Sequence, residues 1–271
     1  RCSRDWSSDV CSSDLTACTP FDEASVSRVV EHGYDILKIA SASFTDWPVL
    51  EEAAKTSLPI VASTAGASVQ EIDRVASFLT NRAKDFALMH CVAAYPTANA
   101  DLQLNRIDML VNRYQGITVG YSTHENPDNM VAVQMAVAKG ARILERHVGI
   151  GTPDAPLNDY SSSPDTVGTW VQAIERALEM CGRTDRNFVP VPAELEALGG
   201  LRRGAFVRSG VKKGRRLTLD DVYFAIPLQE DQVVANEWSK YSSRTASSDV
   251  ATNGAVLKTN VHLVEEQEAI W

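Results

Sequence analysis

The sequence has little that would tie it to a polymer, a membrane or a disulfide framework. Lys and Arg number 26 against 35 Asp and Glu, a formal net charge of -9. No basic field is present to hold a polyanion, so nucleic acid is not an expected partner. Long apolar runs are missing as well: residues 131–138 are interrupted by Gln134 and fall far short of the roughly 20 residues a membrane helix needs. No membrane partner is expected. Arg1 and Arg4 are followed by no apolar stretch of the kind a secretory signal carries. The five cysteines, Cys2, Cys11, Cys18, Cys91 and Cys181, are odd in number and form no C-x-x-C pair. That usage points to a reducing, cytoplasmic compartment. No G-x-G-x-x-G follows any β-prone run, which weakens a dinucleotide-binding open sheet. What is present is an ordinary globular composition over 271 residues, 44% hydrophobic and 23% charged.

Residues 1–15 stand apart. Ser7-Ser8-Asp9-Val10 is nearly repeated as Ser12-Ser13-Asp14-Leu15, and the segment has neither helical nor strand periodicity. Residues 5–15 resemble the in-frame translation of a sequencing-library adapter, so 1–15 is expected to be foreign to the fold; a native Ser/Asp-rich arm is the alternative. From Thr16 onward, β-prone runs at 16–18, 36–40, 60–63, 86–91, 117–121 and 142–147 begin 20 to 31 residues apart. Each interval suits one βα unit. Helix signals fill the gaps. After Asp22, Val26, Val29 and Val30 share a face; Ser68-Val69-Gln70-Glu71 is an S-x-x-E capping box; Asn126-Pro127-Asp128 precedes 130–139, and Pro164-Asp165 precedes 167–180. Polar and ionisable residues recur where these strands end: Thr19, Lys38, Ser41, Ser63, His90, Ser122, His124, Glu145 and His147. In a (β/α)8 barrel such ends converge on one mouth, where active sites are built. The expected fold is therefore α/β, an incomplete (β/α)8 TIM barrel over 16–182 with about six of eight units. A linker is expected at 183–200, with Gly199-Gly200 as a boundary. A small β-rich domain is expected over 201–262, with strands near 205–208, 217–219, 222–226 and 256–261, then a tail at 263–271.

Five segments then become recognisable in order: 35–41 (DILKIAS), 59–64 (PIVAST), 88–97 (LMHCVAAYPT), 119–124 (VGYSTH) and 143–147 (ILERH). They resemble the barrel motifs of the N-acetylneuraminate (sialic acid) synthase family, and 201–227 resembles that family's C-terminal SAF, or antifreeze-like, domain. The resemblance implies a transferase of sialic acid biosynthesis that condenses phosphoenolpyruvate with an N-acetylated amino sugar such as N-acetylmannosamine. The products are a nonulosonic acid and phosphate. It also implies a divalent metal, manganese or magnesium, and a domain-swapped homodimer in which the small domain covers the partner's barrel mouth.

The residues can be weighed against that chemistry. His124 and His147 end consecutive strands, so both imidazoles can reach one ion, and two histidines leave positions open for water and a substrate oxygen. A packed or hydrogen-bonded role is the alternative for either. Lys38 matches the family's strand-end lysine, while Thr19, Ser41, Ser63 and Ser122 match its hydroxyl contacts to phosphate and carboxylate; backbone caps are the alternative for the hydroxyls. Tyr95 is expected to line the sugar site. Asp159 matches an acidic residue near the acceptor sugar and is counted with Lys38, His124 and His147 as catalytic. Glu145 and Arg146 point to opposite sides of one strand, with Glu145 favoured to support the site, and His90 is expected to be structural. Three positions depart from the pattern: Ser43 stands where the family often has Glu, Ala93 where it often has Asn, and Ile226 where an Arg is expected. Without that Arg the acceptor need not be N-acetylmannosamine. The two strands that the count leaves out would carry a Glu and a Lys that the family uses, and a chain without them is expected to be inactive. Two other functions stay open: a Schiff-base aldolase using Lys38 and a non-catalytic carbohydrate-binding paralogue.

Overall fold

A computed structural model describes residues 15–182, 189–239 and 243–264. The adapter-like segment up to Asp14, the first part of the expected linker at 183–188 and the tail from 265 lie outside the described residues. The chain divides into two compact units, Arg1–Arg183 and Thr184–Trp271.

In the first unit, strands and helices alternate. The strands are β1 (Ala17–Cys18), β2 (Ile36–Ile39), β3 (Ile60–Ser63), β4 (Phe86–Cys91), β5 (Thr118–Thr123) and β6 (Ile143–Arg146), and they pair in parallel in chain order. The helices are α1 (Glu23–Glu31), α2 (Trp47–Lys55), α3 (Val69–Asn81), α4 (Asn105–Arg113), α5 (Met130–Ala138) and α6 (Pro164–Cys181). Most helix starts have a side-chain oxygen that satisfies an otherwise orphaned backbone N–H. Asp22, Asp46, Asn129 and Ser163 do this singly, and Ser68 with Glu71 forms the reciprocal capping box. Every residue of β4 is buried, as a parallel sheet requires when it is covered on both faces. The apolar faces of the helices complete the core, with Leu37, Ile39, Leu50, Ile72, Leu79, Leu88, Ile107 and Leu110 fully excluded from solvent. Val30 departs from its expected place: only Val26 and Val29 of that trio are buried, and Val30 is 46% exposed. The apolar stripe of α1 is narrower than its sequence suggests.

The sheet curls. Lys38 on β2 and Glu145 on β6 are four strand positions apart, about 19 Å in a flat sheet at roughly 4.8 Å per strand. Their side chains nevertheless meet, Nζ to Oε2, at 3.0 Å. Six parallel strands curled in this way are an incomplete (β/α)8 barrel, and the curl brings the C-terminal strand ends together. Close packing inside the curl is visible at Gly120 on β5. A Cβ there would collide with the Met89 side chain and lie 2.5 Å from the Ile143 carbonyl oxygen. The methionine can move, but the carbonyl belongs to the β5–β6 ladder. Gly120→Ala is expected to lower stability by about 1–3 kcal/mol through overpacking, measured as a denaturant midpoint shift without change in slope.

On the outer surface, Asp73 of α3 accepts two hydrogen bonds from Arg113 of α4, at 2.6 and 2.8 Å, and one from the Tyr114 hydroxyl at 2.8 Å. The guanidinium and then the phenol hold the Asp73 carboxyl down at about 2, below its unfolded value of about 3.9. A depressed carboxyl contributes stability that is complete above the unfolded pKa and disappears as pH falls through the folded one. The stability difference between the wild type and Asp73→Asn is therefore expected to be constant above about pH 5. It should shrink between about pH 4 and 2, as read from denaturant midpoints across that range.

The second unit begins with α7 (Pro192–Leu201), followed by β7 (Gly204–Val207), β8 (Arg216–Leu217), β9 (Val222–Ala225), β10 (Ser243–Ala246) and β11 (Val261–Val264). β7 pairs with β9, and β10 lies between β11 and β8, all antiparallel. Val207, Val211, Leu217, Val222, Val233, Trp238 and Val256 pack in its core. Two expectations need correction. The expected linker at 183–200 contains a helix: Pro192 sits in its first turn, where a missing N–H costs nothing, the segment AELEAL favours helix, and Gly199 and Gly200 lie inside its last turn. The strand expected at 256–261 starts only at Val261, because the Asn260 side chain accepts the Leu257 N–H at 2.8 Å and folds the preceding residues into a turn. Two basic residues of this unit are ion-paired, Lys212 with Asp249 at 2.6 Å and Arg215 with Asp221 at 2.7 Å.

Candidate functional site

The strand alternation decides which side chains reach the mouth. On β5 and β6 the parallel register places Ser122 beside Glu145 and Thr123 beside Arg146. Ser122 and His124 therefore point to one side, as do Glu145 and His147, while Thr123 and Arg146 point to the other. Lys38 and Ser63, at the ends of β2 and β3, join the first set. The Lys38 ammonium, with a side chain only 14% exposed, donates to Ser63 Oγ at 2.8 Å and pairs with Glu145 at 3.0 Å. This places a positive charge and a hydroxyl side by side, with a carboxylate that an incoming anion would have to displace or share.

A second group forms beside them. The His124 and His147 ring centroids are 5.1 Å apart. Tyr95 lies 4.3 Å from His124, and Tyr160 lies 5.2 Å from His147 with the rings nearly perpendicular. His124 Nδ1 is 2.9 Å from the Val92 carbonyl oxygen. A carbonyl only accepts, so Nδ1 carries the proton and the Nε2 lone pair is available. Burial holds the His124 pKa down, which keeps the ring neutral at physiological pH. This donor set suits a divalent ion: two imidazoles side by side, the tautomer of one fixed by a backbone carbonyl. Among the described residues no group of three or more His, Cys, Asp or Glu could hold a metal, so protein ligation there would amount to these two nitrogens.

The other expected site residues fall at varying distances from this centre. Ser41 accepts the Ala65 N–H at 3.1 Å, which ties the β2 and β3 loops together. Ser122 is 4% exposed at the end of β5, and Thr19 is half-buried just past β1. Asp159 is exposed in the loop after β6. His90 is fully buried, 2.7 Å from the Leu102 carbonyl oxygen and stacked on Tyr121. Ser43 is buried, Ala93 is exposed, and Ile226 lies in the second unit.

Four residues at or behind the mouth were given no site role from sequence. Tyr160 follows Asp159 and walls the histidine pair. The Cys91 thiol lies 3.8 Å from His124 Nδ1; burial raises its pKa, against hydrogen bonds to Ser122 and Ser41, so it remains a thiol and not a metal-binding thiolate. Glu125 and Arg146 lie behind the sheet, each beside one of the histidines in sequence. Burial raises the Glu125 carboxyl and lowers the Arg146 guanidinium, and each opposes the other's shift through its charge.

Comparison with known proteins then yields consistent neighbours. A model of the NeuB family matches residues 12–186. The crystal structure of a Chromobacterium violaceum protein assigned as spore coat polysaccharide biosynthesis protein E superposes with a TM-score of 0.88 at 47% identity, covering 91% of this chain and 73% of that one. The N-acetylneuraminic acid synthetase of Leptospira borgpetersenii, solved with citrate, gives a TM-score of 0.60 at 31% identity, over 66% of this chain and 62% of the other. In sequence, the N,N'-diacetyllegionaminic acid synthase of Legionella pneumophila is 29% identical over 77% of this chain. The chain spans 59% of the length of that relative.

Proposed function

The chain belongs to the NeuB family, and we propose that its strand-end mouth serves a nonulosonic acid synthase, joining phosphoenolpyruvate to an amino-sugar aldehyde with release of phosphate. The observation that carries this reading is the meeting of two different chemistries at one mouth: the cation and hydroxyl of Lys38 and Ser63, and the imidazole pair of His124 and His147.

In this reading Lys38 and Ser63 hold the phosphoenolpyruvate anion, with Ser41, Ser122 and Thr19 supplying further hydroxyls around it. Glu145 holds the Lys38 ammonium in place before substrate arrives and gives way to the incoming negative charge. His124 and His147 would hold manganese or magnesium, which would supply Lewis acidity for polarising the sugar aldehyde. Tyr95 and Tyr160 give the sugar an aromatic wall beside the histidines. Asp159, on its exposed loop, is placed to meet acceptor hydroxyls. The small second unit is read as the SAF domain, reaching the mouth of a second subunit in a homodimer, and the enzyme as cytoplasmic. No helix among the described residues is long and apolar enough to cross a membrane.

The Schiff-base aldolase is disfavoured because Lys38 Nζ is engaged by Glu145 at 3.0 Å and by Ser63 at 2.8 Å, whereas an imine-forming lysine needs its nitrogen open to the substrate carbonyl. The test is phosphate release by a chimera that adds to this chain the part of the Chromobacterium violaceum relative that the match leaves uncovered. Release that requires both Mn2+ and an amino sugar is expected. Metal-independent release, or a borohydride-trapped pyruvate adduct on Lys38, would overturn the reading.

A further inference from the structure

Glu125 immediately follows His124, and Arg146 immediately precedes His147. Because side chains alternate across a strand, these two turn away from the mouth into the layer between sheet and helices. Glu125 is 1% exposed there. Its Oε2 accepts from the Tyr121 hydroxyl at 2.9 Å and from Thr123 Oγ1, both on β5. Its Oε1 is buried with no protein partner. On β6, the Arg146 guanidinium lies over the Trp170 ring at 5.5 Å, and its three nitrogens are also buried without a protein partner. The charges are close enough to interact but make no direct hydrogen bond.

Isolated, each group would be prohibitive to bury: an unpaired internal charge costs several kcal/mol, and buried polar atoms in folded proteins nearly always find a partner. Interacting opposite charges on neighbouring strand ends, one with an orphaned acceptor and the other with three orphaned donors, are the arrangement that buried water bridges. Thr123 and Arg146 are register partners, and one step further along come His124 and His147. A link between Glu125 and Arg146 therefore clamps the two strand ends at the point from which the two imidazoles project.

We propose that Glu125 and Arg146 form a water-bridged charge pair that positions His124 and His147 for a common metal ion. This rests on reading those histidines as ligands. Neither residue touches the ion; both act through the strand that carries a ligand, as outer partners of metal sites do.

The experiment titrates the chain with Mn2+ alone, followed by electron paramagnetic resonance, and records the visible spectrum with Co2+ in its place. Glu125→Gln and Arg146→Met are each expected to weaken Mn2+ binding by about 10- to 100-fold and to shift the Co2+ bands. Arg146→Lys, which keeps the charge, should recover part of the affinity. The double variant Glu125→Gln/Arg146→Met removes both charges and should bind no more weakly than the worse single variant. It also decides the matter if a lone buried charge prevents a single variant from folding. Wild-type Mn2+ affinity with an unshifted Co2+ spectrum in the folded variants would overturn the proposal. His147→Ala separates the two levels. If it loses Mn2+ while the Glu125 and Arg146 variants do not, only the positioning pair fails; if it keeps Mn2+, the ligand reading fails as well.

Discussion

His147→Ala is expected to lose Mn2+ affinity by more than the roughly 10- to 100-fold that removing an outer partner of a metal site costs. With two protein nitrogens in the set, its loss leaves His124 as a single donor, and one imidazole does not compete with water for a hard divalent ion. The effect should be specific to the metal. His147 is exposed at the end of β6 and makes ring contacts with His124 and Tyr160, so its truncation opens no cavity in the core and the unfolding midpoint should barely move. Titration of the variant by electron paramagnetic resonance, with thermal unfolding alongside, checks both parts. Full affinity in His147→Ala would show that the ion, if it binds, binds elsewhere.

Lys38→Met is expected to weaken phosphoenolpyruvate binding by about 10- to 150-fold, the equivalent of losing one charge-assisted hydrogen bond worth about 1.5–3 kcal/mol. Two effects act together. The cation that meets the anion is lost, and Glu145, 3.0 Å from the ammonium in the wild type, is left as an uncompensated negative charge facing the substrate. Glu145→Gln separates them, because it removes the repulsion while keeping the cation. It should therefore bind phosphoenolpyruvate at least as well as the wild type. Calorimetric titration of both variants measures the pair; undiminished binding by Lys38→Met would remove Lys38 from the cradle.

The barrel units were legible because each strand is a short β-prone run between capped helices, and the strand-end residues announced themselves by being polar at the end of an apolar segment. Lys38, Ser63, Ser122, His124 and His147 all carry that signal. Tyr160 does not: it sits in a loop, and only the folded chain returns it to the histidines. Glu125 and Arg146 were hidden for another reason. Alternation tells which side of a strand a residue takes, and Arg146 was rightly turned away from the mouth, but nothing local says that two such residues on neighbouring strands will face each other. In the second unit, Pro192 opens α7 inside the expected linker, and the strand expected at 256–261 is cut short by the Asn260 turn. Both misreadings concern single residues whose effect depends on which side of a helix or turn they occupy.

One mouth is expected to hold a divalent ion and phosphoenolpyruvate together. The 31P resonance of phosphoenolpyruvate, recorded with the chain and substoichiometric Mn2+, tests it most directly, since a paramagnetic ion broadens only nuclei that are held close to it. Strong broadening is expected in the wild type, lost in His147→Ala because the ion is gone and in Lys38→Met because the anion is gone. A sharp 31P line under conditions where both Mn2+ and phosphoenolpyruvate are bound would contradict it.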